Sequence, residues 1–224
     1  MHAIAKAGFY AATVAAIACI GFTAAQLLQN FGILVPPWDG ILIYGFSLGI
    51  APAFLLAMLA LHYSVPVERR FWSHASVLFA LLYTGFAILV YTVQLAAVMP
   101  YGVTNPVLVV APHSFFWTLD ALAYINMGLA ALFAVPALAK QGFQRRIRDF
   151  LLAHALVTPL VCVVYFYPHF SIALLYLASP WCVTAVGSMV MMAGLFSRAM
   201  KSSAVLAARE SDSREQFPTA PAYG

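Results

Sequence analysis

Long apolar runs, each ended by a short polar or proline-bearing break, dominate the chain. A helix needs roughly 20 mostly apolar residues to cross about 30 Å of hydrocarbon. Six segments meet that length: about 8–29, 40–63, 74–99, 114–139, 150–167 and 170–197. Pro36-Pro37, Glu68-Arg69-Arg70, Asn105-Pro106 with Pro112, and the Arg145, Arg146 and Arg148 cluster punctuate the first four breaks. The fifth is only Tyr167-Pro168-His169, a turn whose proline ends a helix. The pattern predicts an all-α fold: a polytopic integral membrane protein, a bundle of six transmembrane helices over residues 1–200. Residues 201–224 mix charges with Ser, Thr and Pro and read as a flexible cytoplasmic tail. Pro52, Pro159 and Pro180 fall inside spans and predict kinks. Gly45 and Gly49 form a GxxxG that predicts close helix approach.

Composition strengthens this reading. Residues of the set AVILMFWYC make up 64% of the chain and charged residues 8%, where a soluble domain averages about 45–50% and about 25%. An ordinary water-soluble globule is excluded. Cys19, Cys162 and Cys182 lie inside apolar runs without a CxxC, which argues against both a disulfide scaffold and a zinc site.

Charge placement then orients the bundle. Lys6 precedes the first span, Arg69 and Arg70 follow the second, and Lys140, Arg145, Arg146 and Arg148 follow the fourth. Arg198, Lys201, Arg209 and Arg214 follow the sixth, and the other three connections carry no Lys or Arg. The positive-inside rule therefore puts both termini in the cytoplasm, after an even number of crossings of a cell (cytoplasmic or inner) membrane. The net charge of +4 is accounted for by these flanks, with no basic groove, so nucleic acid is not an expected partner. Lys6 and Thr23-Ala24-Ala25 before Gln26 imitate a signal peptide, but the apolar run continues to Leu28, which favours a retained first span. No internal repeat of broken helices is evident.

Polar residues within the spans supply the candidate chemistry. Asp120 is the single acid well inside a span, about 9 Å below the outer start of the fourth helix at 1.5 Å per residue. Placing a carboxylate at a helix centre costs roughly 2.5–3.5 kcal/mol, so a partner is expected. Tyr124 lies at i+4 on the same face and is placed to donate its hydroxyl. Gln94 and Tyr91 match those depths on the third helix, and Gln26, Gln29 and Tyr44 occupy the same layer. The candidate cluster is thus Asp120, Tyr124, Gln94, Tyr91 and Gln26. It reads either as an interhelical hydrogen-bond network or as the floor of an outward-facing pocket. Histidines give no HExxH or paired i,i+4 set, and His113 and Ser114 are neighbours pointing about 100° apart. No metal, cofactor or catalytic residue is expected, and the chain leans away from being an enzyme.

The stretches YTVQLAAVMP (91–100) and PHSFFWTLDALAYINMGLAALFAVP (112–136) resemble uncharacterised bacterial multi-spanning membrane proteins of unknown function. Those proteins similarly pair a tyrosine–glutamine third helix with a fourth helix that opens near Pro-x-Ser and carries an acid, then Tyr and Met-Gly. The resemblance covers about a quarter of the chain. It implies a bacterial cytoplasmic-membrane location and supplies no activity. Two functions fit the residues. One is binding or transport of a small apolar or amphipathic molecule, or a lipid, in a pocket around Asp120. The other is a non-catalytic accessory subunit that packs against a membrane-protein partner.

Overall fold

The computed structural model describes residues 2–216, with side chains through residue 205. A backbone in hydrocarbon must satisfy its own N–H and C=O groups, and the described residues do so entirely through helices and their connecting turns, without a strand. The helices are α1 (His2–Asn30), α2 (Trp38–Ser64), α3 (Arg70–Val93), α4 (Met99–Tyr101), α5 (Phe115–Ala134), α6 (Gly142–Phe166), α7 (Ile172–Leu177) and α8 (Pro180–Gln216). A π-helical turn at Gln94–Val98 joins α3 to α4, making one continuous rod that ends at Gly102 in the left-handed conformation (φ 58°). Six helical segments are long and apolar enough to cross a membrane.

Three boundaries differ from the sequence reading. The fifth span begins at Gly142 rather than near 150, so Arg145, Arg146 and Arg148 are helical. Their polarity marks the edge of the hydrocarbon and not the end of the helix. Gln144 accepts from the Ala139 N–H at 2.7 Å and Arg148 donates to the Leu138 carbonyl at 3.2 Å, which ties the preceding turn to this extension. The sixth span is broken: α7 stops at Leu177 and α8 starts at Pro180. Pro180 therefore sits at the first helical position, where its missing N–H costs nothing, and produces no mid-span kink. Pro52 and Pro159 do lie inside their helices. Finally, α8 continues through Gln216, so the expected tail is helical from Lys201 to Gln216, and residues 217–224 lie outside the described residues.

The six spans pack as a ring in which each touches its neighbours in sequence and α8 returns to α1. Alanines dominate the α1 face: Ala11, Ala12, Ala15, Ala16 and Ala18 are all buried. With no hydrophobic force between helices in lipid, such small side chains allow the close backbone approach that dispersion needs. The GxxxG pair of α2 contributes only half of what it promised, since Gly49 lies against Ala18 while Gly45 faces open space. Gly128 makes a closer approach, against Thr158 of α6. Hydroxyls add interhelical links: Ser76 donates to the Ala130 carbonyl at 2.7 Å and Thr84 to the Ala51 carbonyl at 2.9 Å. Met58, Leu61, Met127, Leu151, Met189, Met192 and Phe196 fill the half of the ring nearer the basic connections. The other half holds a cavity.

Candidate functional site

The cavity encloses about 280 Å³. Its walls come from α1, α2, α3, α5, α6, α7 and the start of α8, with Val110 from the connection that leads into α5. It lies at the end of the bundle whose connections carry no Lys or Arg.

Asp120 forms its polar floor, and the sequence places it there through the start of α5. Ser114 caps that helix, its hydroxyl accepting from the Trp117 N–H at 3.0 Å and the Ala111 N–H at 3.3 Å. The cap fixes the phase of α5, and Asp120 turns inward with only 6% of its surface exposed. The Tyr91 hydroxyl from α3 donates to Asp120 Oδ1 at 2.6 Å, and the Tyr165 hydroxyl from α6 donates to Oδ2 at 2.5 Å. Both oxygens are acceptors, the pattern that suits an ionised carboxylate. One side chain thus joins three helices.

Aromatic packing holds these donors in place. Tyr91 stacks on Tyr44, with ring centroids 5.6 Å apart. Trp117 packs on Tyr165 at 4.5 Å, and its indole N–H donates to the Tyr165 carbonyl at 3.0 Å. That carbonyl belongs to the last turn of α6, where the helix leaves acceptors free. Trp181 closes another wall, edge-on to Tyr124 at 5.4 Å and to Phe22 at 5.3 Å. Its indole N–H is buried without a hydrogen-bond partner.

The five candidate residues therefore have distinct positions. Asp120 and Tyr91 are bonded to each other. Tyr124 lines the cavity one turn below, yet the second hydroxyl on the carboxylate belongs to Tyr165. Gln26 also lines the cavity, but it donates to Gln29 Oε1 at 2.7 Å and to Asn30 Oδ1 at 3.2 Å. Gln29 in turn donates to Asp39 Oδ2 at 2.9 Å, so these amides link α1 to α2 at the rim. Gln94 is bonded to the connection before α5 and not to Asp120. It donates to the Leu108 carbonyl at 2.6 Å and accepts from the Val110 N–H at 3.3 Å, pinning the connection that supplies part of the wall.

Sequence reasoning missed Tyr165, Trp117 and Trp181. Tryptophans and tyrosines near span ends match the interfacial aromatic belt, and that rule conceals those that turn inward. A partial signal existed for Tyr165, which lies near the outer end of its span, three residues before Pro168 and about one turn shallower than the depth assigned to Asp120. Among the described residues no group of three or more His, Cys, Asp or Glu is placed to hold a metal. Comparison with protein-family models, with curated proteins and with solved structures gives no match to this chain.

Proposed function

We propose that this is a multi-pass membrane protein that binds a small amphipathic molecule in a cavity open to the outer face of a cytoplasmic membrane, as a step in transport or sensing. One observation carries the reading: a carboxylate, buried and bonded to two hydroxyls, in the lining of a cavity of about 280 Å³. A purely structural acid is expected to be sealed by packing, since burying a charge is costly and a void forfeits contacts on every side. Here the same side chain both ties three helices together and borders space for a ligand.

The test is a thermal-shift screen of the purified protein in detergent, using small amphipathic amines, alcohols and carboxylates against wild type and Asp120→Asn. At least one compound is expected to raise the wild-type melting temperature and to lose that effect in the variant. Identical responses of the two proteins across the panel remove the pocket reading. If a stoichiometric membrane-protein partner also co-purifies in gentle detergent, the accessory-subunit reading takes its place.

Orientation rests on the basic residues, which all flank the end of the ring opposite the cavity or lie at the termini. Reporter fusions check it. A fusion after Arg70 or Arg146 is expected to report the cytoplasm, and one after Tyr101 the outer side. Opposite sides for Arg70 and Arg146 defeat the six-span topology.

A further inference from the structure

The proposed pocket also has a chemistry that narrows its ligand, and the following rests on that reading. We propose that the cavity receives an organic ammonium ion, its charge set against Asp120 and its alkyl surface against the surrounding aromatic faces.

Two observations converge. First, the charge is unbalanced: among the described residues no Lys or Arg lines the cavity, and the hydroxyls that donate to Asp120 are neutral. A second acid, Asp39, stands at the rim, bonded to Gln29 and to the Gly40 N–H and to no cation. A site built this way repels anions and leaves a neutral ligand facing an uncompensated charge. Second, the walls are aromatic. Tyr44, Tyr91, Tyr124, Tyr165, Trp117 and Trp181 line the cavity with the carboxylate, and aromatic rings attract cations, as in the sites that hold quaternary ammonium groups. Sodium, potassium or a divalent metal would have to exchange its water for a full shell of oxygen ligands, and most of the lining is apolar or aromatic. An ammonium bearing alkyl groups is weakly hydrated and pays less to enter. A volume of about 280 Å³ is at the lower edge of the roughly 300–1,000 Å³ usual for ligand pockets, so the cavity suits a head group of that size.

An organic ammonium occurs both as a free cation and in a lipid head group, and the experiment separates them. Isothermal titration of the full chain in dodecyl maltoside, at constant ionic strength, uses choline, ethanolamine, glycerophosphocholine and 3,3-dimethylbutan-1-ol, the uncharged carbon isostere of choline. At least one of the ammonium compounds is expected to bind on the order of tenfold or more tightly than the isostere, a preference that Asp120→Asn abolishes. Tyr124→Leu, which spares both hydroxyl bonds to Asp120, is expected to weaken ammonium binding several-fold and keeps the proposal testable if the Asp120 variant does not fold. Tighter binding of glycerophosphocholine than of choline assigns the site to a lipid head group, and the reverse order to a free cation. Equal binding of the isostere overturns the ammonium assignment and leaves the pocket standing. Binding by none of the four overturns both.

Discussion

Gly128→Ala is expected to lower the melting temperature of the detergent-purified protein, as is Gly8→Ala, whose added methyl group would meet the fixed Cβ of Ala60 at 2.8 Å. A Cβ at Gly128 would overlap Thr158 Oγ1 and lie 2.8 Å from Thr158 Cβ and 3.0 Å from Cγ2. Rotating Thr158 moves Oγ1 and Cγ2 but leaves its Cβ fixed by the α6 backbone, and a β-branched residue has few helical rotamers to spare. The helices must therefore separate, at a cost of roughly 1–3 kcal/mol for overpacking. Gly21 and Gly187 also face close neighbours, the rings of Phe46 and Phe150, but a ring at the end of a side chain swings aside more easily. Gly45 is the matched control, because nothing lies within 4 Å of its absent Cβ. Gly45→Ala is expected to be neutral or to stabilise by up to about 1 kcal/mol through helix propensity. Combining Gly128→Ala with Thr158→Gly returns the lost space and should recover most of the loss. A Gly128→Ala protein as stable as Gly45→Ala would show that α5 and α6 do not meet there.

The parts of this fold that were legible in the sequence are those set by length and by local signals. Apolar run length alone gives six membrane-crossing helices, and the start of α5 was readable because Ser114 is a capping residue placed directly before the apolar run. Hydropathy failed where polarity and helicity part company. Arg145 to Asp149 and Lys201 to Gln216 are polar enough to leave the hydrocarbon and remain helical. At the site, depth was readable and rotation was not. Counting residues from span ends put Gln94 level with Asp120 and Tyr91 level with Tyr124, within a turn of the carboxylate to which Tyr91 is in fact bonded. Gln94 opens a π-helical turn. That turn widens the helix and changes which face the following residues present, so spacing rules based on 3.6 residues per turn do not apply. Tyr124 and Tyr165 exchanged roles for a related reason: the i+4 rule brings Tyr124 to the same face of α5 as Asp120, while the rotation of α6 that delivers Tyr165 to the carboxylate depends on packing between helices.

That three-helix junction carries the other large expected effect. Tyr91→Phe and Tyr165→Phe each remove one hydroxyl from a buried carboxylate without changing ring packing. Hydrogen bonds to charged groups are worth about 1.5–3 kcal/mol, whereas ordinary side-chain bonds between membrane helices average about 0.6 kcal/mol. Each single variant is expected to fall in the upper range, because Asp120 is 6% exposed and has little water to turn to. The double variant leaves a buried charge with neither hydroxyl donor, a situation that costs about 3–5 kcal/mol. In an Asp120→Asn background the same two substitutions should fall back toward about 0.6 kcal/mol each. The measurement is a double-mutant cycle on unfolding free energies in one detergent. Small, additive losses in both backgrounds would mean that the junction behaves as a neutral network, and the electrostatic reason for a cationic ligand would go with it. Losses that are large only when residue 120 is Asp identify a negative charge held in place by two tyrosines, and a positively charged ligand is what such a charge, in the lining of a cavity, is suited to bind.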